Sequence, residues 1–278
     1  MKEVVLLSKV ILVVLDGLRY DTAVSQLGFM GHLVEKSKAA LYKVKSELPS
    51  LSRPLYEVIL TGTPSWMNGI TSNREVRLSR QKSIFHLARE HNRTTAAAAY
   101  YWVSELYNRA PFNFIEDREQ HNPELPIQHG MFYFEDHYPD SHLFLDGESL
   151  RRMYDPDFLY IHSMNIDDAG HKHTSESKEY RDAALRVDTI LAQLVPKWME
   201  EGYHILVTAD HGMNEFANHG GTGVAERDVA MFAISPRFKP GDYTGEYIPQ
   251  LAVAPLVCNL LGIPISPQMK PFAIPGFQ

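Results

Sequence analysis

The chain has a single cysteine, Cys258, among its 278 residues. One thiol excludes a disulfide within the chain and any zinc site built from several thiolates. A metal bound by this protein would therefore be held by histidines and carboxylates, and the sequence supplies 13 His and 34 Asp or Glu for that purpose.

The chain also lacks an excess of basic residues. It has 27 Lys and Arg against 34 Asp and Glu, which gives a formal net charge of -7. This argues against a dedicated nucleic-acid binder, because such proteins attract phosphate backbones with a positive surface. A small phosphate-bearing substrate stays compatible with the composition, since a bound metal ion supplies positive charge locally.

Long apolar runs are absent as well. No stretch approaches the ~18 consecutive apolar residues of a membrane span. The apolar start of the chain is interrupted by Lys9 and ends at Asp16 without a small-residue cleavage site directly after it. We interpret this start as a strand and not as a signal peptide, and we expect a cytoplasmic protein without membrane contact.

Short apolar runs, by contrast, are present and predict the fold. Continuous runs of this kind are typical of strands buried on both faces, as in a parallel sheet covered by helices. They occur at Val10–Leu15, Phe158–Met164, His204–Ala209 and Val229–Ile234. A 3- and 4-residue apolar period predicts a helix over Glu176–Glu201, which Pro196 should bend or locally break, and a last helix at about Gln250–Leu261.

The expected fold class is therefore α/β, with a mostly parallel central sheet and helices on both faces. We expect one catalytic domain over residues 1–278, since no linker divides the chain. Residues 100–145 are rich in aromatic side chains and show no clear period. We predict that this segment forms a small cap insertion over the sheet.

Three of the predicted strands run into an aspartate, namely Asp16, Asp167 and Asp210. Ligands of open α/β sheets bind beyond the carboxyl ends of the strands, so these carboxylates should converge on one crevice. Three histidines accompany them, at His171, His211 and His219. Carboxylate and imidazole ligands without thiolates suit Zn²⁺, Mn²⁺ or Fe²⁺.

Ser52 is a candidate nucleophile. It precedes a helix-compatible segment that ends at Thr61-Gly62, and Pro54 would lie in the first helical turn. As an N-cap residue, Ser52 would only stabilise the helix. As a nucleophile, it would face an anion bound at the helix N-terminus. The local pattern leaves both interpretations open, with Ser50 as a second position for the nucleophile.

Taken in order, these blocks resemble the alkaline phosphatase superfamily, and within it the nucleotide pyrophosphatase/phosphodiesterase and phosphonoacetate hydrolase branch. The resemblance runs from about residue 10 to the C-terminus. Its matching blocks are Ile11–Gly17, Ser52-Arg53-Pro54 with Thr61-Gly62, Asp167 with Gly170-His171, Thr208–Met213 and His219-Gly220.

The resemblance implies two divalent metal ions, most often zinc in the superfamily. One ion would be bound by Asp16, Asp210 and His211, with Ser52 bridging toward it. The other would be bound by Asp167, His171 and His219. The spacing to Thr61-Gly62 places the family nucleophile at Ser52. We assign Arg53 to substrate binding, as a fork for phosphate oxygens.

We therefore expect a metal-dependent phosphoric ester hydrolase. Its substrate would be a small phosphate or phosphonate ester, cleaved through a phosphoseryl intermediate in the manner of a phosphodiesterase or nucleotide pyrophosphatase. The alternatives are a phosphomonoesterase of the same superfamily and a catalytically inactive metal-binding relative. The oligomeric state is left open.

Overall fold

A mixed sheet forms the centre of residues 8–278, the part of the chain that the computed structural model describes. Its strands in that part are β1 to β9, in the order β4-β5-β3-β6-β1-β7-β8-β2-β9 across the sheet. They cover, in chain order, Lys9–Leu15, Ala40–Lys45, Thr95–Tyr100, Glu119–His121, His129–Tyr133, Phe158–Ser163, Tyr203–Thr208, Asp228–Ile234 and Gly241–Pro249.

The sheet is mostly parallel. Strand β1 pairs in parallel with β6 on one side and β7 on the other. Strand β8 is antiparallel to β7 and β2, and the short edge strand β4 is antiparallel to β5. All six residues of β1 from Val10 to Leu15 are fully buried. The continuous apolar run thus forms the innermost strand, as its sequence predicts.

Eleven α-helices, α1 to α11, connect these strands within the described residues. They cover Tyr20–Gln26, Gly28–Glu35, Ser52–Thr61, Ser65–Asn68, Ile84–Glu90, Trp102–Tyr107, Asp140–Tyr154, Asn165–His173, Lys178–Glu200, Val224–Arg227 and Val253–Leu261. Helix α9 packs on β7 and contacts α1, α2 and α7, whereas α11 packs on β1 and contacts α3 and α5. The sheet therefore lies between two helical layers, and the predicted fold class is confirmed.

Most predicted elements lie where the sequence pattern puts them. The four apolar runs are β1, β6, β7 and β8, and the long amphipathic helix is α9. This helix continues through Pro196 to Glu200, so a local break at Pro196 is wrong, whereas the alternative of a bend stays a prediction. The strand interpretation of the chain start holds from Lys9, and residues 1–7 lie outside the described part.

The aromatic-rich segment at about 100–145 is more closely joined to the sheet than a cap would be. Its rings do cluster, with Tyr101, Phe112 and Phe114 in mutual contact. However, β5 pairs with β3 and β4 pairs with β5, so part of the segment extends the sheet edge instead of lying over it. Strands of three and five residues are too short to show a clear sequence period.

Within residues 8–278, none of the helices combines the length and the apolar composition that a membrane crossing requires.

Candidate two-metal centre

The three predicted aspartates meet where the central strands end. Asp16 follows β1 directly, Asp210 lies two residues after β7, and Asp167 is in the first turn of α8, behind β6. Because β1 pairs with both β6 and β7, their carboxyl ends share one edge of the sheet. The crevice predicted from the sequence is present there.

Gly17 makes this convergence possible. Its φ is +73°, and a Cβ at this position would lie 2.7 Å from Oδ1 of Asp167. Its N–H donates to Oδ1 of Asp210 over 3.2 Å, and its carbonyl accepts from the Tyr180 hydroxyl over 2.5 Å. A residue without a side chain therefore lets two of the carboxylates approach the end of β1.

The first group of potential ligands consists of Asp16, Asp210 and His211, all fully buried. Nε2 of His211 lies 3.3 Å from Oδ1 of Asp16 and 3.3 Å from Oδ2 of Asp210. Each residue offers one ligand atom, and these atoms lie within 4.8 Å of one another. Two carboxylates and one imidazole in this arrangement are a suitable ligand set for a divalent cation.

The second group consists of Asp167, His171 and His219. Nε2 of His171 lies 3.4 Å from Oδ2 of Asp167, and Nε2 of His219 lies 3.8 Å from Oδ1 of the same carboxylate. The two Nε2 atoms are 3.2 Å apart. The rings of His211 and His219 stack with their centroids 3.8 Å apart, so the two groups adjoin each other.

All three imidazoles are oriented in the same way. The Nδ1 atom of each ring lies within hydrogen-bond distance of a backbone carbonyl. The distance is 2.9 Å from His171 to Ala217, 2.9 Å from His211 to Gly212, and 2.8 Å from His219 to Ser50. A carbonyl only accepts, so each Nδ1 carries the proton, and Nε2 keeps its lone pair toward the carboxylates. This is the outer-shell pattern that prepares histidines for metal binding.

The electrostatics of the crevice also fit cations. Burial, together with the nearby Asp210, raises the pKa of Asp16 to about 8. Burial and the neighbouring Asp16 raise the pKa of Asp167 to about 7. Burial and Asp167 raise the pKa of Asp210 well above its usual range. Among the described residues, Oδ1 of Asp16, Oδ1 of Asp167 and Oδ2 of Asp210 are buried without a hydrogen-bond donor. Crowded carboxylate oxygens of this kind are costly unless positive charge is supplied.

Ser52 faces the first group. It is the first residue of α3, and Leu51 is the N-cap, so the interpretation of Ser52 as an N-cap residue is wrong. Its Oγ lies 3.1 Å from Nε2 of His211. Ser50, the second position considered, donates its hydroxyl to the carbonyl of Glu226 over 3.0 Å and is fully buried. The geometry therefore favours Ser52 over Ser50 as the reactive hydroxyl.

Comparison with known proteins matches this architecture to a family. Residues 10–227 match the sequence model of type I phosphodiesterases/nucleotide pyrophosphatases. The chain belongs to this family. Murine ectonucleotide pyrophosphatase/phosphodiesterase 5 has the same fold, with a TM-score of 0.73 at 12% identity over 94% of this chain and 96% of that one. A phosphonate monoester hydrolase from Silicibacter pomeroyi gives a TM-score of 0.64 at 14% identity over 93% of this chain and 74% of that one.

Curated relatives carry a different activity in their names. GPI ethanolamine phosphate transferase 2 of Debaryomyces hansenii is 25% identical over 92% of this chain and 31% of its own length. The catalytic subunit of human GPI ethanolamine phosphate transferase 3 is 24% identical over 93% of this chain and 25% of its own length. The chain thus spans about a quarter to a third of the length of these relatives.

One predicted residue of this family member does not point into the crevice as a free group. Arg53 is buried, and its Nη2 pairs with Oε2 of Glu105 at 2.7 Å, while Nη1 donates to the carbonyl of Glu75 at 3.0 Å. The guanidinium also lies 4.5 Å from the ring centre of Trp102. The guanidinium fork is thus engaged within the protein, and direct phosphate binding by Arg53 stays a prediction that this pairing does not favour.

Two residues near the crevice escaped sequence reasoning. Oδ1 of Asn73 accepts the Arg53 N–H over 3.0 Å, which places this amide at the start of α3, beside Ser52. The Tyr56 hydroxyl donates to Oδ2 of Asp16. Asn73 lies in an irregular segment that gives no sequence signal, whereas Tyr56 lies on α3, one helical turn after Ser52, and could have been found from that spacing.

Proposed function

We propose that this protein is a metal-dependent phosphoric ester hydrolase that uses Ser52 as its nucleophile. The observation that carries the proposal is the position of the Ser52 hydroxyl, 3.1 Å from Nε2 of His211. This places a hydroxyl at the start of a ten-residue helix and beside two groups of potential metal ligands. Helix N-termini favour bound anions, so a phosphoryl group would be attracted to the same point.

The six ligand residues would hold two divalent ions, zinc in most members of the superfamily. When bound, the ions would neutralise phosphoryl charge and lower the pKa of the serine hydroxyl. Ser52 Oγ would form a bond to phosphorus as the ester P–O bond breaks. The serine proton would pass to solvent, and the leaving oxygen would take up a proton from solvent and depart as an alcohol. Water would then hydrolyse the phosphoserine and restore the hydroxyl.

The charges around Ser52 support a substrate with one negative charge on phosphorus. Within residues 8–278, no lysine or arginine is hydrogen-bonded or ion-paired to a member of either ligand group, and Arg53 is paired with Glu105. The Nδ2 group of Asn73 has no partner among those residues and is a neutral donor beside Ser52. We infer that Asn73 binds a phosphoryl oxygen, and that phosphodiesters or phosphonate monoesters are preferred over dianionic phosphomonoesters.

A panel of aryl substrates tests this proposal. We expect kcat/KM to be highest for bis(p-nitrophenyl) phosphate or an aryl phosphonate monoester, and clearly lower for p-nitrophenyl phosphate and p-nitrophenyl sulfate, at a fixed zinc concentration. A preference for p-nitrophenyl phosphate would favour the phosphomonoesterase alternative. A product burst equal to the enzyme concentration would distinguish a catalyst from an inactive metal-binding relative.

Phosphotransfer is a second candidate, favoured by the names of the curated relatives. The chemistry of the first step would be unchanged, and an acceptor alcohol would replace water in the second. Adding a primary alcohol such as ethanolamine to the diester assay separates the two. A transferase forms the phosphoester of the added alcohol faster than it forms the hydrolysis product. A hydrolase releases the hydrolysis product at the same rate with and without the alcohol.

A further inference from the structure

The segment that carries Asn73 has little secondary structure of its own. It runs from the end of α4 at Asn68 to the start of α5 at Ile84. Within it, Asn73 lies in a turn closed by a 3.2 Å hydrogen bond from the Glu75 N–H to the Ser72 carbonyl. A donor that binds a phosphoryl oxygen must be held in place before the reaction, because a mobile amide loses its electrostatic advantage.

The side chain and backbone of Arg53 hold this turn at two points. Its N–H donates to Oδ1 of Asn73 over 3.0 Å, and its Nη1 donates to the carbonyl of Glu75 over 3.0 Å. Both bonds start from the residue next to Ser52, so they fix the turn relative to the reactive hydroxyl.

The guanidinium is itself fixed on its other side. Nη2 pairs with Oε2 of Glu105, whose Oε1 accepts the N–H of Phe112 over 3.0 Å. The ring of Trp102 covers the guanidinium at 4.5 Å. Glu105 is buried as well, so the pair sits in a site with little solvent to compete. A planar guanidinium suits this task, because it donates in two directions at once in a fixed geometry.

We propose that Arg53 is a positioning residue, which holds Asn73 beside Ser52 through Glu75 while Glu105 and Trp102 hold its guanidinium. The inference rests on the proposed function in one respect, the role of Asn73 as a phosphoryl-oxygen donor. In this proposal Arg53 does not contact the phosphate. Its buried side chain instead acts on the substrate indirectly, by holding the turn that carries Asn73.

A double-mutant cycle on turnover tests the indirect role. With bis(p-nitrophenyl) phosphate, Asn73→Ala should lower kcat roughly 100-fold, as removal of one transition-state donor does. Arg53→Met should lower kcat at least about tenfold. If Arg53 acts through Asn73, the double variant should be within about twofold of Asn73→Ala alone. Losses that multiply, or an Arg53→Met variant with wild-type kcat, would overturn the inference.

Two further variants keep the cycle interpretable. Arg53→Met/Glu105→Gln removes both charges, so no unpaired carboxylate is left buried if the single variant does not fold. Arg93→Met is the matched control, since Arg93 is another largely buried arginine, paired with Asp157 at 3.5 Å before the amino end of β6. The control should keep wild-type kcat, and all variants are compared at equal zinc content.

Amide hydrogen exchange gives a readout that does not depend on activity. Peptides covering residues 72–76 should exchange at least about tenfold faster in Arg53→Met than in wild type, and should be unchanged in Arg93→Met. Unchanged exchange in Arg53→Met would overturn the positioning role whatever the activity. Faster exchange in a protein that cleaves no phosphoester would instead support the positioning role and reject the proposed function.

Discussion

Ser52 Oγ and His211 Nε2 lie 3.1 Å apart, and that nitrogen is also 3.3 Å from a carboxylate oxygen of Asp16. The Nδ1–H of His211 donates to the carbonyl of Gly212, so the lone pair of the ring is on Nε2. The serine hydroxyl thus lies beside the potential ligand atoms of the first group. No side-chain hydrogen bond caps the N-terminus of α3.

Ser52→Ala should abolish most turnover with little effect on folding. The hydroxyl caps no helix, so its removal should cost less than the about 0.5–2 kcal/mol typical of a lost N-cap. We expect kcat for an aryl phosphodiester to fall by several orders of magnitude, while bound metal and the unfolding midpoint stay near wild type. Steady-state kinetics, elemental analysis and thermal unfolding measure the three quantities.

Ser50→Ala is the matched control for that experiment. It loses the 3.0 Å hydrogen bond to the Glu226 carbonyl, which should cost about 1 kcal/mol of unfolding free energy. Its kcat should stay within about tenfold of wild type. If Ser50→Ala loses turnover and Ser52→Ala keeps it, the nucleophile is Ser50.

Gly17→Ala should damage the crevice more than backbone strain alone explains. A methyl group there would lie 2.7 Å from Oδ1 of Asp167, at a φ of +73°. Gly202 offers a matched control, since its φ is +79° and nothing lies within 4 Å of its added Cβ. We expect Gly202→Ala to lower the free energy of unfolding by about 1–2 kcal/mol, and Gly17→Ala to lower it by more and to reduce the amount of bound metal. Urea unfolding and elemental analysis measure the two quantities. Equal costs for the two variants, with metal retained in both, would contradict this account.

The central strands and the convergence of three aspartates were predictable from the sequence for a physical reason. A strand buried on both faces must be continuously apolar, and the runs at Val10 and His204 show this directly. The first polar residues beyond such runs lie at the edge of the sheet, where ligands bind. The convergence of Asp16, Asp167 and Asp210 on one crevice follows from this, whereas the division of the ligands into two groups was implied by the resemblance to the superfamily.

The internal partners of Arg53 were not predictable in the same way. Its partner Glu105 is 52 positions away in an aromatic-rich segment without a clear period, and Glu75 contributes only a backbone carbonyl. Every residue has a backbone carbonyl, so the residue type does not reveal which carbonyl accepts a hydrogen bond. Asn73 was missed for a related reason, since a single asparagine in an irregular segment is more often a turn residue than a donor.

Glu57→Gln should flatten the pH dependence of folding stability. Glu57 is buried on α3, where it accepts a 2.8 Å hydrogen bond from Tyr107, and burial raises its pKa from 4.5 to about 7. The folded state thus binds the proton more tightly than the unfolded state. Stability from this group is complete below pH 4.5 and is lost as the pH rises to about 7, by up to about 3 kcal/mol.

Urea unfolding at pH 5 and pH 8 measures that difference. Wild type should lose more stability than Glu57→Gln between the two values, because glutamine does not ionise. Glu246→Gln, at an exposed position, should follow wild type. A Glu57→Gln variant with the full wild-type pH dependence would show that other groups are responsible.

Metal binding should be weakened in mild acid by carboxylates as well as by histidines. The pKa of Asp16 is raised to about 8 and that of Asp167 to about 7, first of all by burial, so both carboxyls hold protons at pH 6 in the metal-free protein. Burial lowers the pKa of His219 to about 4, so this imidazole stays neutral well below pH 6.5. A ligand must be deprotonated to bind, and zinc binding should therefore release protons from these groups.

Calorimetry in buffers of different ionisation enthalpy should show about two metals per chain, proton release at pH 6, and affinity that falls between pH 8 and pH 6. Chelation should remove activity, and His219→Ala should bind one metal fewer while His32→Ala, at an exposed position, binds both. Affinity that is constant from pH 8 to pH 6.5 and declines only below that would assign the competition to the imidazoles.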